Sequence, residues 1–389
     1  MIASKACSPQ KIAGLFAGIG GVEKGLASSG HIASMLCEND PAALAVLRAR
    51  FPDTTLHGDV RTLKSLPADT SMVVAGFPCQ DLSQAGTARG ISGSKSGLIG
   101  EVFRLVRQAN TPWLLLENVP FMLQLKRGRA MSVIADTLES LGYRWAYRVV
   151  DSRAFGLPQR RRRVYLLASL VDDPRQILFA DEAGSRPEPM KNGQAVACGF
   201  YWTEGLRGLG WAVDAVPTLK GGSTIGIPSP PAILLTDGSV VTPDVRDAER
   251  LQGFPSGWTR PAEAVAKKSV RWKLIGNAVS VPAARWIGKR MIRPGVIATY
   301  DVAPLRSGSP WPIAAWNVGS GRFSVSASEW PNERPCPALQ DFLRYSPHPL
   351  SARATAGFLG RARIAKLKFP LGFLKALDEH LASVRERSA

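Results

Sequence analysis

The chain has 389 residues, which is enough for two or three domains of ordinary size. Hydrophobic residues make up 45% of the chain and charged residues 21%, and these proportions exclude an intrinsically disordered protein. The 49 Lys and Arg residues exceed the 31 Asp and Glu residues, for a net charge of +18 at pH 7. Such a surplus indicates a polyanionic partner, most simply nucleic acid, although ribosomal and other basic proteins share it.

The cysteines and the apolar runs restrict the cellular setting. Five cysteines are widely scattered and include no CxxC pair, so we expect neither a disulfide framework nor a metal site. The longest apolar runs are too short to cross a bilayer, and the N-terminal residues show no signal-peptide pattern. We therefore expect a protein of an intracellular, reducing compartment, without a membrane partner.

The first 170 residues alternate short apolar runs with helical patterns. Strands are predicted at 12–16, 32–37, 54–57, 72–75, 113–116, 143–150 and 163–168. Helices are predicted at 22–28, 41–50, 98–108 and 130–141. This alternation predicts a doubly wound α/β sheet, in which ligands bind at the carboxyl ends of the strands.

The composition changes after Ser169. Residues 171–243 are rich in Gly, Pro and Ser and show no long helical pattern, which predicts a smaller, loop-rich domain. Residues 270–290 are predicted as a strand or turn followed by a helix. An extension begins after Pro294 and ends in an amphipathic helix near residues 371–384.

Three strand ends carry candidate ligand-binding residues. Gly18, Gly20 and Gly21 follow the first strand, where a glycine turn lets the backbone approach a nucleotide-like ligand; a purely structural tight turn is the alternative. Glu38 ends the second strand and suits ribose hydroxyls, and Asp59 follows the third, where it suits an adenine amino group. A solvated acid is the alternative at both positions.

Three further segments carry reactive side chains. Cys79 lies in the loop GFPCQDLSQAG just after the fourth strand, and its polar neighbours favour a reactive thiol over a buried structural cysteine. Glu117 ends a very apolar strand, where a buried carboxylate is costly without a function or a partner. In QRRRRVY the two-residue period places Arg161 and Arg163 on one strand face, with a solvated basic edge as the alternative.

Six motifs occur in one order along residues 12–290: FAGIGG, PCQ, ENV, QRRRRVY, RDAERLQGFP and GNAVSVPAARWIG. In this order they resemble the bacterial DNA cytosine-5 methyltransferases. The resemblance implies a Rossmann-like S-adenosylmethionine-dependent methyltransferase fold, with a doubly wound mixed sheet and a smaller target-recognition domain. It predicts a catalytic domain at 1–170 plus 270–294 and a target-recognition domain at 171–269. The extension at 295–389 has no assigned role and is expected to cap the catalytic domain, to add DNA contacts or to offer a partner surface.

By this resemblance the cofactor is S-adenosylmethionine, the product is S-adenosylhomocysteine, and no metal takes part. The residues expected to bind the cofactor lie at strand ends and in the closing motif: Phe16, Ala17, Gly18, Ile19, Gly20, Gly21, Glu38, Asn39, Asp59, Val60, Pro78, Leu98, Asn277 and Val279. Phe16 is expected to stack on adenine, and the Gly18–Gly21 turn to lie against the methionine part.

The resemblance also assigns the catalytic roles. Cys79 is the nucleophile that adds to C6 of cytosine, and Glu117 interacts with N3. Arg163 holds the O2 side of the base and Glu117, whereas Arg161 is a supporting residue or a phosphate contact. The target nucleotide is flipped out of duplex DNA, and the loop at 80–97 closes over it.

Sequence choice is expected to depend on residues 171–243. The residues expected to approach double-stranded DNA are Gln80, Ser83, Lys220, Ser223 and Thr224. The resemblance also implies a monomer of the bacterial cytoplasm that is associated with the nucleoid. We expect it to modify the site of a restriction-modification system, whose endonuclease acts without a stable complex, or to be an orphan enzyme. A transfer-RNA substrate and a catalytically silent DNA-binding protein are the competing hypotheses.

Overall fold

The computed structural model describes residues 8–77, 97–184, 196–222 and 228–387. The chain divides into two compact units. The first unit takes its residues from Met1–Ala154, Arg162–Arg186 and Val279–Glu333, and the second from Phe155–Arg161, Pro187–Ala278 and Arg334–Ala389. The extension after Pro294 is therefore shared: its first part belongs to the first unit and its last part to the second.

The strands are short, and most are buried. They are β1 (Lys11–Leu15), β2 (Ile32–Cys37), β3 (Thr55–His57), β4 (Met72–Ala75), β5 (Trp113–Asn118), β6 (Arg144–Asp151), β7 (Gln159–Arg160), β8 (Arg162–Ser169), β9 (Cys198–Phe200), β10 (Trp211–Val213), β11 (Val216–Pro217), β12 (Ala232–Leu234), β13 (Val240–Thr242), β14 (Val302–Pro304), β15 (Ala314–Asn317), β16 (Phe323–Val325) and β17 (His348–Pro349).

The described α-helices are, in the first unit, α1 (Gly21–Ala27), α2 (Pro41–Arg50), α3 (Leu98–Ala109), α4 (Arg129–Ser140), α5 (Arg175–Leu178) and α8 (Val281–Ile292); the second unit has α6 (Val245–Leu251), α7 (Val270–Asn277), α9 (Leu339–Phe342), α10 (Ala352–Ile364) and α11 (Phe373–Glu386). Short 3-10 helices cover Pro120–Leu123, Ser152–Phe155 and Arg260–Ala264. Among these described helices, none combines the length and the apolarity that a membrane span requires.

A ten-stranded mixed sheet organises the first unit, in the order β14-β16-β15-β6-β8-β5-β4-β1-β2-β3. Strands β3, β2, β1, β4 and β5 are parallel, and β8, β6, β15, β16 and β14 continue the sheet antiparallel. The parallel half brings the carboxyl ends of β1, β2, β4 and β5 to one edge of the sheet. The predicted doubly wound mixed sheet and its seven strands are confirmed.

The structure differs from the sequence-based expectation in two places. Strands β14, β15 and β16, from the extension, were not predicted. The segment Val270–Asn277 is the helix α7, so the prediction of a strand or turn there is wrong. Arg271, Leu274 and Ile275 are buried at helical spacing, and this buried face outweighs the strand preference of Val270 and Trp272.

The second unit is built on a five-stranded antiparallel sheet in the order β10-β9-β12-β13-β17. Helices α10 and α11 of the extension pack on it through an aromatic cluster. Its members are Phe200 on β9, Phe358 on α10, Phe373 on α11 and Phe369 between the two helices. Strand β17 extends the sheet by pairing with β13, so the last part of the chain is a structural component of the second unit.

Candidate active site

The turn after β1 carries three residues with positive φ angles. Phe16 has φ 56°, Gly18 φ 56° and Gly20 φ 77°. A side chain at Gly20 would begin 2.3 Å from Cε2 of Phe51, so only glycine fits there. At Gly18, in contrast, no described atom lies within 4 Å of the place where a side chain would begin. The turn therefore leaves the backbone at Gly18 open to a ligand.

Glu38, at the end of β2, is aimed at this turn. Its Oε2 accepts a hydrogen bond of 2.8 Å from the N–H of Gly18, and its Oε1 accepts bonds of 2.9 Å from the N–H groups of Asn39 and Asp40. Asp40 then caps α2 by accepting from Ala42 and Ala43. The structure thus brings together Gly18 and Glu38, two of the residues predicted to bind the cofactor.

The other predicted cofactor residues of the first unit lie in three settings. Phe16 and Leu98 are partly buried against the core, whereas Val60 and Ile19 are fully buried. Asp59 is held by Arg61, which donates from its backbone N–H and its guanidinium, and these hydrogen bonds lower the pKa of Asp59 to about 2. Asp59 is therefore an ionised acceptor at neutral pH.

Sequence reasoning missed Glu23, in the first turn of α1. Glu23 is only 2% exposed, and Oε1 of its carboxylate lies 2.3 Å from the point where a side chain on Gly14 would begin. Burial, with a further contribution from the charge of Glu38, raises the pKa of Glu23 to about 7. The absence of a side chain at Gly14 was the sequence signal that room for such a group exists on β1.

Glu117 and Arg163 form an ion pair between neighbouring strands. The antiparallel pairing of β5 with β8 places Glu117 opposite Tyr165, two residues from Arg163. Nε of Arg163 lies 3.0 Å from Oε1 of Glu117, and both side chains are only about one-tenth exposed. Gly76, just after β4, lies beside the other carboxylate oxygen, with 3.5 Å from Oε2 to the position of a Cβ. The structure thus brings together Glu117 and Arg163, two of the residues predicted to be catalytic.

Asn118, next to Glu117, fixes the backbone that follows β4. Its Nδ2 donates a hydrogen bond of 2.9 Å to the carbonyl of Phe77, and its Oδ1 accepts one of 2.8 Å from Val119. Phe77 is the last described residue before the PCQ motif. The predicted residues Pro78, Cys79, Gln80 and Ser83 lie outside the described residues.

Arg161 belongs to the second unit, where it is 1% exposed. Its guanidinium donates to the carbonyls of Leu219, at 3.1 Å, and of Gly276 and Ala278, at 3.2 and 2.6 Å. A guanidinium buried against three carbonyls has no surface to offer a phosphate, so the prediction of a phosphate contact is wrong for Arg161. The same contacts agree with a supporting role.

The end of α7 packs closely on the backbone that contains Lys220. A side chain at Gly276 would begin 2.0 Å from the carbonyl carbon of Lys220, and one at Gly221 would begin 2.3 Å from Oδ1 of Asn277. Asn277 is exposed and belongs to the second unit, whereas Val279 is partly buried and belongs to the first. The closing motif therefore contributes to both units.

Lys220, a predicted DNA contact, is held by two partners. Its Nζ lies 3.2 Å from Oε1 of the buried Glu204 and 3.9 Å from the ring centroid of Tyr201. The side chain is one-third exposed, so a DNA phosphate would compete with Glu204 for it. Ser223 and Thr224 lie outside the described residues.

Gln159 is a buried residue of the second unit that sequence reasoning did not assign. Its Nε2 donates to the carbonyl of Leu251 at 2.8 Å, and its Oε1 accepts from the N–H of Leu219 at 3.0 Å. Gln159 and Arg161 therefore hold the N–H and the carbonyl of the same residue, Leu219, one position before Lys220.

Within the described ranges, no cluster of His, Cys, Asp and Glu could hold a metal ion.

Comparison with known proteins identifies the group to which the chain belongs. Residues 10–197 match the family described as C-5 cytosine-specific DNA methylase. The chain is 46% identical over 384 residues to Type II methyltransferase M2.BsuMI of Bacillus subtilis, a match that covers 95% of this chain and 97% of that protein. It is 30% identical to Type II methyltransferase M1.ScrFI of Lactococcus lactis over 318 residues, which cover 72% of this chain and 78% of that protein. A solved structure of the Dnmt2 methyltransferase of S. pombe covers 72% of this chain and 98% of its own, at 15% identity and a TM-score of 0.49. By the extent and identity of the sequence matches, the chain belongs to the C-5 cytosine-specific DNA methylase family.

Proposed function

We propose that this DNA cytosine-5 methyltransferase uses S-adenosylmethionine to methylate a flipped-out cytosine within one short recognition sequence in duplex DNA. We further propose that it is the modification enzyme of a restriction-modification system in the bacterial cytoplasm, with an endonuclease that acts on the same site without a stable complex. The observation that carries the proposal is the Glu117–Arg163 pair of 3.0 Å, beside the backbone that leads to Cys79.

The first unit fits S-adenosylmethionine. The backbone at Gly18 is open, and the carboxylate of Glu38 lies against it, which suits a ribose with two hydroxyl donors. Asp59, ionised at neutral pH, would accept a hydrogen bond from the adenine amino group, and Phe16 would stack on the ring. When bound, the cofactor supplies an electrophilic methyl group; the product is S-adenosylhomocysteine, and no metal is needed.

The protein residues activate the base. C5 of cytosine is a poor nucleophile, so the Cys79 thiolate adds to C6, and the electron pair of the C5–C6 bond becomes available at C5. Glu117 shares a proton with N3, so that negative charge does not accumulate on the ring. Arg163 orients the Glu117 carboxylate and donates to O2 of the base. After methylation, a proton acceptor removes the C5 proton through water. The C6–S bond then breaks, and the Cys79 thiolate is regenerated.

Transfer of a tritiated methyl group to duplex DNA tests the proposal. We expect the wild-type protein to label duplex DNA, Cys79→Ser to abolish labelling, and the matched control Cys336→Ser, at an exposed cysteine of the second unit, to label normally. Bisulfite sequencing of the product should show protected cytosines in one sequence pattern. Protection without any pattern would contradict a specific recognition domain.

The two competing hypotheses give different results in the same assays. A transfer-RNA methyltransferase would label RNA in place of DNA. A catalytically silent DNA-binding protein would form no covalent adduct with DNA that contains 5-fluorocytosine. We expect a stable adduct with the wild-type protein and none with Cys79→Ser, because the fluorine blocks the final elimination.

A further inference from the structure

The segment between Asp341 and Asp378 is unusually basic. It contains seven Lys and Arg residues and no Asp or Glu. In the structure it includes α10, the first residues of α11 and the turn that joins them. We call residues 364–371 the basic turn. An uninterrupted positive segment of this length on one unit is a candidate surface for a polyanion.

Five side chains of the basic turn are exposed to solvent. Lys366 and Lys368 are exposed, as are the apolar residues Ile364, Leu367 and Leu371, of which Leu371 is fully exposed. Among the described residues, no acid pairs with either lysine. On the two helices that flank the basic turn, Arg363 pairs with Asp378 and Lys375 with Glu379.

The backbone of the basic turn is fixed although its side chains are exposed. Phe369 turns inward and stacks on Phe373 with 5.1 Å between ring centroids and an interplanar angle of 4°. The indole N–H of Trp211, on β10, donates to the carbonyl of Lys368 at 2.9 Å. A surface that is ordered before binding loses less conformational entropy when a partner binds.

The basic turn is joined to the loop that positions Lys220. Nη2 of Arg361, in the last turn of α10, donates to the carbonyl of Trp202 at 2.6 Å. Trp202 follows Tyr201, whose ring makes a cation–π contact with the ammonium group of Lys220. Its indole N–H donates to the carbonyl of Pro230, just beyond the TLKGG segment. The basic turn thus belongs to the same unit as Lys220, and Arg361, three residues before the turn, is bonded to the residue next to Tyr201.

We propose that the basic turn is a second DNA-contacting element of this unit, an inference that rests on the proposed function. Lys366 and Lys368 bind phosphates of the duplex, and Ile364 and Leu371 contact the sugars and base edges of the adjacent groove. Alternating cations and exposed aliphatic side chains suit a phosphate backbone with an apolar groove wall beside it. An anionic membrane surface offers related chemistry, and the experiment separates the two.

The test is the salt dependence of duplex binding by Lys366→Gln/Lys368→Gln. Loss of two phosphate contacts should reduce the slope of log Kd against log salt by about 2 and weaken binding by about 10- to 30-fold at 0.15 M salt. Leu371→Ser should weaken binding without changing the slope. The control Arg107→Gln/Arg144→Gln removes two exposed charges of the first unit and should leave the slope unchanged.

The outcomes separate this inference from the proposed function. If the wild-type protein methylates DNA and the lysine variant binds it with an unchanged slope, the basic turn is not a DNA contact. Binding of the wild-type protein to phosphatidylglycerol vesicles through these lysines, with DNA binding unchanged, would likewise overturn the inference in favour of a membrane. If the wild-type protein does not methylate DNA, the proposed function fails, whatever the lysine variant does.

Discussion

At the scale of single residues, the Glu117–Arg163 pair bears both on the stability of the fold and on the chemistry of the site. Two opposite charges about one-tenth exposed lose most of their hydration, so each needs the other, and the pair is costly to break from one side. The pair joins β5 to β8 at the edge where the other cofactor and catalytic residues are expected. Both charges can therefore be kept in place before the target cytosine binds, and the two side chains need no reorganisation at the moment of reaction.

Replacement of Arg163 by Lys tests whether geometry matters beyond charge. Nε of Arg163 lies 3.0 Å from Oε1 of Glu117 while Nη1 donates a hydrogen bond to the carbonyl of Arg162, and a single ammonium cannot occupy both places. We expect Arg163→Lys to lower kcat by about 100-fold with a smaller change in KM for DNA. Single-turnover methyl transfer at saturating DNA measures this effect. Activity within twofold of the wild type would show that only the charge is needed.

The buried Glu23 makes stability depend on pH. Its pKa is about 7 in the folded protein against about 4.5 in the unfolded chain, so between these values the folded state holds a proton that the unfolded state has lost. The raised pKa therefore lowers the unfolding free energy. This loss is absent below about pH 4.5, grows between about pH 4.5 and pH 7, and is constant above about pH 7. It amounts to about 3 kcal/mol of unfolding free energy, at 1.36 kcal/mol per pKa unit.

Glu23→Gln should remove this dependence. The variant should gain unfolding free energy relative to the wild type as pH rises from 4.5 to 7, with no further gain above that range. Urea unfolding at pH 5 and pH 8 measures the difference. Asp136→Asn, at a carboxylate that is mostly exposed, is a matched control and should show a much smaller trend. A gain for Glu23→Gln that is equal at both pH values would contradict a buried, protonated Glu23.

How far the residues were predictable depended on whether their signal is local. Glu38 and Glu117 end apolar strands, and Gly18 lies in a turn with a recognisable glycine pattern, so their positions follow from neighbours in the sequence. The buried role of Arg161 depends on carbonyls 58 to 117 residues away, which no local pattern reveals. Glu23 had no assigned role, and only the fold shows that its carboxylate lies against Gly14.

At the scale of elements, the sequence predicts the strands β1–β6 and β8, whereas β7 and β9–β17 are not predicted. Strands β5 and β8 contain continuous apolar runs, which are typical of strands buried on both faces. Strand β14 has three residues, all exposed, and carries no such signal. It exists because β16 offers it an edge. The segment of helix α7 is predicted as a strand or turn, and the helical spacing of its buried residues becomes decisive only once the fold buries them.

Helix α7 gives a prediction through its close approach to another segment. A Cβ at Gly276 would lie 2.0 Å from the carbonyl carbon of Lys220, which is backbone and cannot turn away. We expect Gly276→Ala to cost more than about 2 kcal/mol of unfolding free energy and to weaken DNA binding, since the Lys220 segment must move.

The control for this prediction is Gly360→Ala, in α10. No described atom lies within 4 Å of its Cβ position, so the substitution should stabilise the helix by about 0.5–1 kcal/mol. Urea unfolding compares both variants with the wild type. Equal stability of the two variants would show that the end of α7 can move away from the Lys220 segment.

At the scale of the whole molecule, the extension is divided between the units. Residues 295–333 add three strands to the large sheet, and residues 334–389 supply β17 and the helices α9, α10 and α11 to the second unit. We propose that the recognition domain comprises the second unit, including its last 56 residues, in place of the boundaries 171–269 expected from the sequence. The net charge of +18 supports the same view, since part of the surplus lies on that last segment.

If residues 334–389 are part of the core of the second unit, the aromatic cluster must contribute to its stability. Phe358 is fully buried between Phe200 and Phe373, so Phe358→Ala should cost about 3–5 kcal/mol of unfolding free energy through lost burial and the cavity left behind. Phe121→Ala removes the same ring from a side chain that is 58% exposed and should cost much less.

Hydrogen exchange reports where the loss of stability occurs, because amides of β9 and β12, which share this core, should lose protection in Phe358→Ala. Equal stability of the two variants would show that α10 does not contribute to the core of the second unit. A loss of protection confined to β9, β12 and their neighbours would show that residues 334–389 stabilise the second unit and not the large sheet of the first.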